Sequence, residues 1–126
     1  SLGIDQIVQQ QSLPDAKMSS AYCNALFTVL PSRFEGFGLP ALESMASGTA
    51  TILANATSLP EVGADAALYF ESGDRADLAH KMITLASDHE LREHLAKAGT
   101  AQAACFSWER CAAETAAVYQ ATVTRT

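Results

Sequence analysis

Long hydrophobic runs are missing from this sequence: no uninterrupted apolar stretch approaches the roughly 18 residues that cross a bilayer. Nor does a charged start lead into an apolar segment of signal-peptide form. Basic clusters are missing as well. Eight lysines and arginines are scattered among fourteen acids, for a net charge of −6, so nothing is present to neutralise a nucleic-acid backbone. The cysteines, Cys23, Cys105 and Cys111, are odd in number and form no CxxC pair, which argues against a disulfide framework and against a structural zinc. Reduced thiols in a cytoplasmic protein are expected. His80, His89 and His94 fall in one stretch of helical character with no cysteine or carboxylate cluster around them, so they are expected as solvated helix residues and no metal site is expected.

What remains is sufficient for a core. A hydrophobic fraction of 48% against 17% charged suits one globular unit over residues 1–126, burying roughly two thirds of its unfolded surface. Ile7–Gln10 is a short β-prone run. Ser12-Leu13-Pro14-Asp15 then reads as a helix start with Ser12 as cap, the helix running from about Pro14 to Asn24. Leu26–Leu30 is a compact apolar run closed by Pro31, expected as a central strand buried on both faces. A glycine-rich loop, 32–38, leads into a helix from Pro40 to about Ser47 that Gly48 can end. Thr51–Ala54 and Ala67–Phe70 are the next strands. Between them Ser58-Leu59-Pro60-Glu61 has the form of a capping box.

From Asp74 the pattern turns helical: about Arg75–Ser87 capped by Asp74, His89–Ala104 capped by Asp88, and Trp108–Val123 capped by Ser107. Leu78, Met82, Ile83 and Leu85 mark the apolar stripe of the first of these helices, and Leu91, Leu95 and Ala98 that of the second. Trp108 is expected as a packing anchor. The fold class is therefore α/β, a partial Rossmann-like parallel sheet of about four strands with flanking helices and a helical C-terminal tail.

In open parallel sheets, ligands bind beyond the carboxyl ends of the strands, where loops pass into helix amino termini with free N–H groups. The loop 32–39 occupies that position. Gly36 and Gly38 let the backbone come close to a bound group, and the amides of Phe37, Gly38 and Leu39 are placed to donate to phosphate or sugar oxygens. Glu35 and Glu43 bracket the loop, Glu43 in the first turn of the following helix. A carboxylate suits vicinal hydroxyls. The plainer reading has Glu43 complementing its own helix dipole and Glu35 solvated.

The run Pro31-Ser32-Arg33-Phe34-Glu35-Gly36-Phe37-Gly38-Leu39-Pro40-Ala41-Leu42-Glu43 resembles the hallmark of the group 1 retaining glycosyltransferases, with two glutamates separated by seven residues. The likeness continues through 45–49, 59–67, Gly73-Asp74 and Phe106-Ser107-Trp108-Glu109. It implies the carboxyl-terminal, donor-binding part of a GT-B enzyme, with a nucleotide-sugar as substrate and no cofactor. By this resemblance Glu35 contacts donor-sugar hydroxyls, the amides of Gly36, Phe37, Gly38 and Leu39 hold sugar and diphosphate, and Glu43 binds the ribose. Glu61 matches a residue near the nucleobase or ribose, which the capping box explains equally well. Arg33 could reach an anionic donor, or be merely solvated. Neither glutamate acts as a covalent nucleophile in the mechanism implied: the acceptor hydroxyl attacks the anomeric carbon from the leaving group's face, helped by a phosphate oxygen. Ala50 stands where the family has proline, and Gln11 where it has glycine.

The resemblance also implies an amino-terminal acceptor-binding domain, two further strands and the diphosphate-neutralising Arg and Lys, all preceding the matched region. The start on Ser1-Leu2, without Met, fits a piece of a longer chain. Such a piece is expected to be inactive in sugar transfer by itself, with any membrane association arising through the absent domain. Its Leu26–Leu30 edge is expected to be covered by rearrangement or by a symmetric homodimer. Two other readings are a non-catalytic Rossmann-like interaction module and a glycosidase. The latter needs Glu35 and Glu43 carboxyls about 5–5.5 Å or 6.5–9.5 Å apart.

Overall fold

The structure, a computed structural model, describes Val8 and residues 11–124. Among these the chain forms three strands, β1 (Thr28–Leu30), β2 (Thr51–Ala54) and β3 (Leu68–Phe70), and six α-helices. The helices are α1 (Asp15–Asn24), α2 (Leu39–Ala46), α3 (Leu59–Gly63), α4 (Arg75–Ser87), α5 (His89–Ala103) and α6 (Trp108–Val123), with a 3-10 turn at Ala64–Ala66. The strands are parallel in the order β1-β2-β3, with Val29 opposite Ile52 and Leu53 opposite Tyr69. The α/β class and parallel sheet expected from the sequence are found, with three strands in place of about four. The remaining expected strand, Ile7–Gln10, lies outside the described residues but for Val8, which is in no strand.

The burial of the first strand differs from expectation, while its place at an edge is the one expected for Leu26–Leu30 in a chain without the two preceding strands. Every residue of β2 is buried, whereas β1 is only half-buried and forms one edge of the described sheet. Burial on both faces depends on which strands pair, and an apolar run such as Leu26–Leu30 does not encode that. Leu26 is exposed, and ladder pairing starts at Thr28, opposite Thr51.

Around β2 the core gathers Ala41, Leu59, Val62, Phe70, Leu85 and Leu95. Helix α5 closes one side by packing on α2. A Cβ added at Gly99 would stand 3.3 Å from Met45 Cγ and 3.6 Å from its Cα, so the two helices approach closely where α5 has no side chain. Thr100 Oγ1 lies 3.3 Å from Met45 O and 3.0 Å from Ala96 O, which share its one proton, and Gln102 Nε2 donates to Val62 O at 3.0 Å near the end of α3. At the amino ends of β1 and β2 the hydroxyls of Thr28, Ser44 and Thr51 form a closed cluster, 2.6 Å from Thr28 to Ser44 and 2.9 Å from Ser44 to Thr51. Ser44 and Thr51 are buried, so their burial depends on this mutual satisfaction.

The caps follow the local signals. Asp74 accepts from the amides of Ala76 and Asp77, Asp88 from Leu91, and Ser107 from Arg110. Elsewhere they do not. Helix α1 starts at Asp15 with Pro14 at the capping position and no side-chain cap, so Ser12 does not serve as one. Ser58 has helical backbone angles and makes no cap either. In the stripe of α4 only Leu85 is buried and Leu78 half-buried, while Met82 and Ile83 face solvent. Trp108 is 75% exposed. Its expected anchoring role passes to Phe106, whose ring meets Phe37 edge-on with centroids 5.9 Å apart. Helix α6 itself has no buried residue.

Tyr69 on β3 donates its phenol to Ala64 O at 2.8 Å. Burial, and then the neighbouring Asp65 carboxylate, push that phenol up to about 12. An unfolded phenol titrates near ~10, so the folded state holds the proton more tightly. The resulting stabilisation is fully present below about pH 10 and is lost as pH rises through about 12. Tyr69→Phe should therefore flatten the alkaline fall in stability, read by urea unfolding at a series of pH values from about 9 to about 12, the span between the unfolded and folded values. An unchanged slope would refute the assignment.

Candidate functional site

The loops after β1, β2 and β3 all emerge at the carboxyl edge of the sheet. The first, 31–38, reaches α2 through Gly38, whose φ of 102° and ψ of 43° lie in the left-handed region. Pro40 follows in the first turn of α2, where its lack of an N–H costs nothing. Among the described residues, no hydrogen bond engages the amides of Gly36, Phe37, Gly38 or Leu39. These donors accumulate where the α2 dipole is positive.

The loop is held in place by its neighbour. Thr57 Oγ1 accepts from the Glu35 amide at 3.1 Å, and Ser58 Oγ lies 3.1 Å from Glu35 O and 2.9 Å from Phe37 O. Ser58 has one hydroxyl proton, which the two carbonyls share. This explains the missing capping box: the hydroxyl that would close it ties down the glycine loop. Thr57 sits at φ 48°. A β-branched residue there is strained by about 1–3 kcal/mol, a cost offset by the fixed position of the loop.

The side chain of Glu35 is oriented by Ser32, whose Oγ donates to Oε1 at 2.7 Å. Glu35 is half-buried, Arg33 is exposed, and Glu61 is exposed in the first turn of α3. Glu43 is the fifth residue of α2, beyond the first turn where the sequence placed it, because the helix starts at Leu39. It is therefore poorly placed to complement its own helix amino terminus. Glu43 instead faces α1. Tyr22 donates its phenol to Glu43 Oε2 at 3.2 Å, and burial together with the Glu43 charge raises the phenol above its usual range. Beside this pair opens a groove of about 490 Å³. Leu13, Asp15, Met18 and Ser19 line it from the α1 side, Glu43 and Ser47 from the α2 side.

The chain thus brings Glu35 and the four loop amides to the carboxyl edge, with Glu43 one turn further along α2 over the groove. Three contributors escaped the sequence reading. Ser58 was legible only as a cap, since Ser-x-x-Glu does not distinguish a cap from a tether. Thr57 carries no signal apart from its position before Ser58. Tyr22 lies 21 positions from Glu43, and nothing local predicts that pairing. Among the described residues, no group of three or more His, Cys, Asp or Glu is arranged to share a metal ion. No described helix is long and apolar enough to cross a membrane.

A family model for glycosyl transferases group 1 matches residues 1–102. The O-antigen chain mannosyltransferase B of Escherichia coli is 39% identical over 108 residues, covering 86% of this chain and 28% of its own length. A D-inositol 3-phosphate glycosyltransferase of Streptosporangium roseum is 37% identical over 122 residues, 94% of this chain and 28% of its own. In three dimensions, sucrose-phosphate synthase from Thermosynechococcus elongatus is similar at a TM-score of 0.83 with 25% identity, over 98% of this chain and 32% of that one. The chain spans less than a third of the length of each of these proteins. With its parallel α/β layers matching part of a GT-B fold, and the family match extending over residues 1–102, the chain belongs to the group 1 glycosyltransferases.

Proposed function

We propose that residues 1–126 form the donor-binding part of a retaining glycosyltransferase, which transfers a hexosyl group from a nucleotide-sugar to an acceptor hydroxyl. The observation that carries this reading is the clustering of four unpartnered loop amides at the amino end of α2 with Glu35 on one side and Glu43 on the other. Amides and a helix amino terminus stabilise diphosphate oxygens, and carboxylates accept from sugar hydroxyls. In this proposal Glu35 takes donor-sugar hydroxyls, Gly36, Phe37, Gly38 and Leu39 hold the sugar and diphosphate, and Glu43 takes the ribose. In the same proposal the exposed Arg33 takes the anionic donor and the exposed Glu61 the nucleobase or ribose. A mannosyl donor is the first candidate, from the names of relatives such as the O-antigen mannosyltransferase.

The protein's part in the reaction is positioning and charge stabilisation. Glu35 and Glu43 act on the donor's hydroxyls, and the amides stabilise the charge that develops on the departing diphosphate as the acceptor hydroxyl attacks from the same face. Acceptor binding and further cationic neutralisation belong, in this proposal, to parts of a longer protein.

Two substitutions separate the roles. Glu43→Ala should weaken binding of a nucleoside diphosphate, UDP or GDP, by about 1.5–3 kcal/mol, the worth of hydrogen bonds to a charged group. Glu35→Ala should leave that affinity nearly unchanged and lower sugar-nucleotide affinity, and turnover in the full-length enzyme. Calorimetric titration of both ligands decides it. Equal nucleoside diphosphate affinity in wild type and Glu43→Ala would remove Glu43 from the site.

A further inference from the structure

We propose that Tyr22 is a positioning residue for Glu43, fixing one carboxylate oxygen so that the other faces the ligand; this rests on the nucleotide-sugar reading above. A glutamate on an exposed helix face has three side-chain torsions and no reason to hold one orientation. Glu43 is exposed, yet its Oε2 accepts from Tyr22 at 3.2 Å. Among the described residues Oε1 accepts no other hydrogen bond. A tyrosine is a suitable anchor because its ring has only two torsions.

The anchor is itself held. Thr49, which is buried, donates its hydroxyl to Tyr22 O at 2.7 Å, and Cys23 Sγ donates to Ser47 O at 3.7 Å. These contacts join the carboxyl end of α1 to the α2–β2 connection, so the ring stands at a fixed place relative to α2. Burial and the Glu43 charge both favour the neutral phenol. Tyr22 therefore remains a donor at neutral pH. A carboxylate offers about four acceptor sites, and the phenol takes one, leaving the remainder toward the groove for vicinal hydroxyls.

The test is a double-mutant cycle on the 126-residue chain with UDP and GDP as probes, followed by NMR shifts at millimolar ligand. Wild type, Tyr22→Phe, Glu43→Ala and the double variant are compared. Loss of one positioning hydrogen bond should weaken binding about 5-fold in Tyr22→Phe, with no added loss when Glu43 is already Ala, which leaves no acceptor for the phenol. In ligand-free protein carrying labelled tyrosine, the Tyr22 phenol should titrate lower in Glu43→Ala than in wild type. That shift reports the Tyr22–Glu43 contact itself; the dependence of the affinity loss on Glu43 is what a merely structural Tyr22 would not give. Unchanged affinity in Tyr22→Phe, or an unmoved phenol titration, overturns the proposal and leaves the binding reading intact. Additive losses in the double variant mean that Tyr22 acts independently of Glu43, by touching the ligand or by supporting the fold, and overturn the positioning role. Absence of binding by wild type to either probe takes down the underlying reading and this proposal together.

Discussion

Gly38→Ala is expected to cost roughly 2–5 kcal/mol of folding stability, by combining backbone strain with overpacking. The backbone at Gly38 has φ 102°, which an alanine adopts only under strain. The added Cβ would also stand 2.8 Å from Leu59 Cδ2. Leu59 is fully buried, so it cannot swing aside without disturbing the core under α3. The same change shifts the loop whose amides crown α2, so the shifts of Phe37 and Leu39 should move along with the stability. Gly36→Ala is the control. A Cβ there meets nothing within 4 Å and no positive φ applies, so its effect should stay within about 0.5 kcal/mol. Urea unfolding of both variants checks this; equal destabilisation by Gly36→Ala and Gly38→Ala would show that general loop crowding, and not the geometry at Gly38, sets the cost.

Leu53→Ala should be comparably severe. Leu53 is fully buried in the central strand, at the heart of the core cluster, and truncating such a leucine costs about 2–5 kcal/mol in lost transfer energy and residual cavity. Domains of ordinary size are stable by only about 5–15 kcal/mol, so the variant should melt far below wild type. Ile83→Ala is the informative partner, since Ile83 is 68% exposed and its truncation should register little. Thermal melts that rank Ile83→Ala with Leu53→Ala would contradict the packing described for α4.

The contrast between those residues shows what the sequence makes legible. Helical spacing places Ile83 and Leu85 in one apolar stripe, but a stripe has a width. Which of its members meets the sheet depends on how α4 is rotated against β3, a matter of tertiary contact. Many signals that are complete within a few residues agree with the structure, although the caps expected at Ser12 and Ser58 do not form. The bounds Thr51–Ala54, the caps Asp74, Asp88 and Ser107, and Gly48 after α2 each follow from local backbone chemistry. The half-burial of β1 could not be read that way, because it depends on pairing that joins Thr28 to Thr51 across 22 intervening residues.

The candidate site divides along the same line. Its glycines and glutamates form one continuous segment, and the strand-loop-helix order alone directs them to the carboxyl edge. The groups that hold them come from elsewhere in the chain: Thr57 and Ser58 from the loop after β2, Tyr22 from α1. Ser58 was misread for a physical reason. A serine three residues before a glutamate satisfies the cap pattern, but the hydroxyl goes where carbonyls are left without donors, and Glu35 O and Phe37 O supply two.

Helix α6 carries a consequence for cooperativity. A helix of 16 residues with no buried side chain draws almost nothing from tertiary packing, the source of most helical stability in proteins. The body of the domain, from β1 through α5, is joined by side chains that are buried together and so opens as one unit. Helix α6 can unwind and rewind many times while that body stays closed. Amide protection should therefore fall into two tiers along the chain, and a denaturation midpoint read from helical ellipticity should differ from one read at β2.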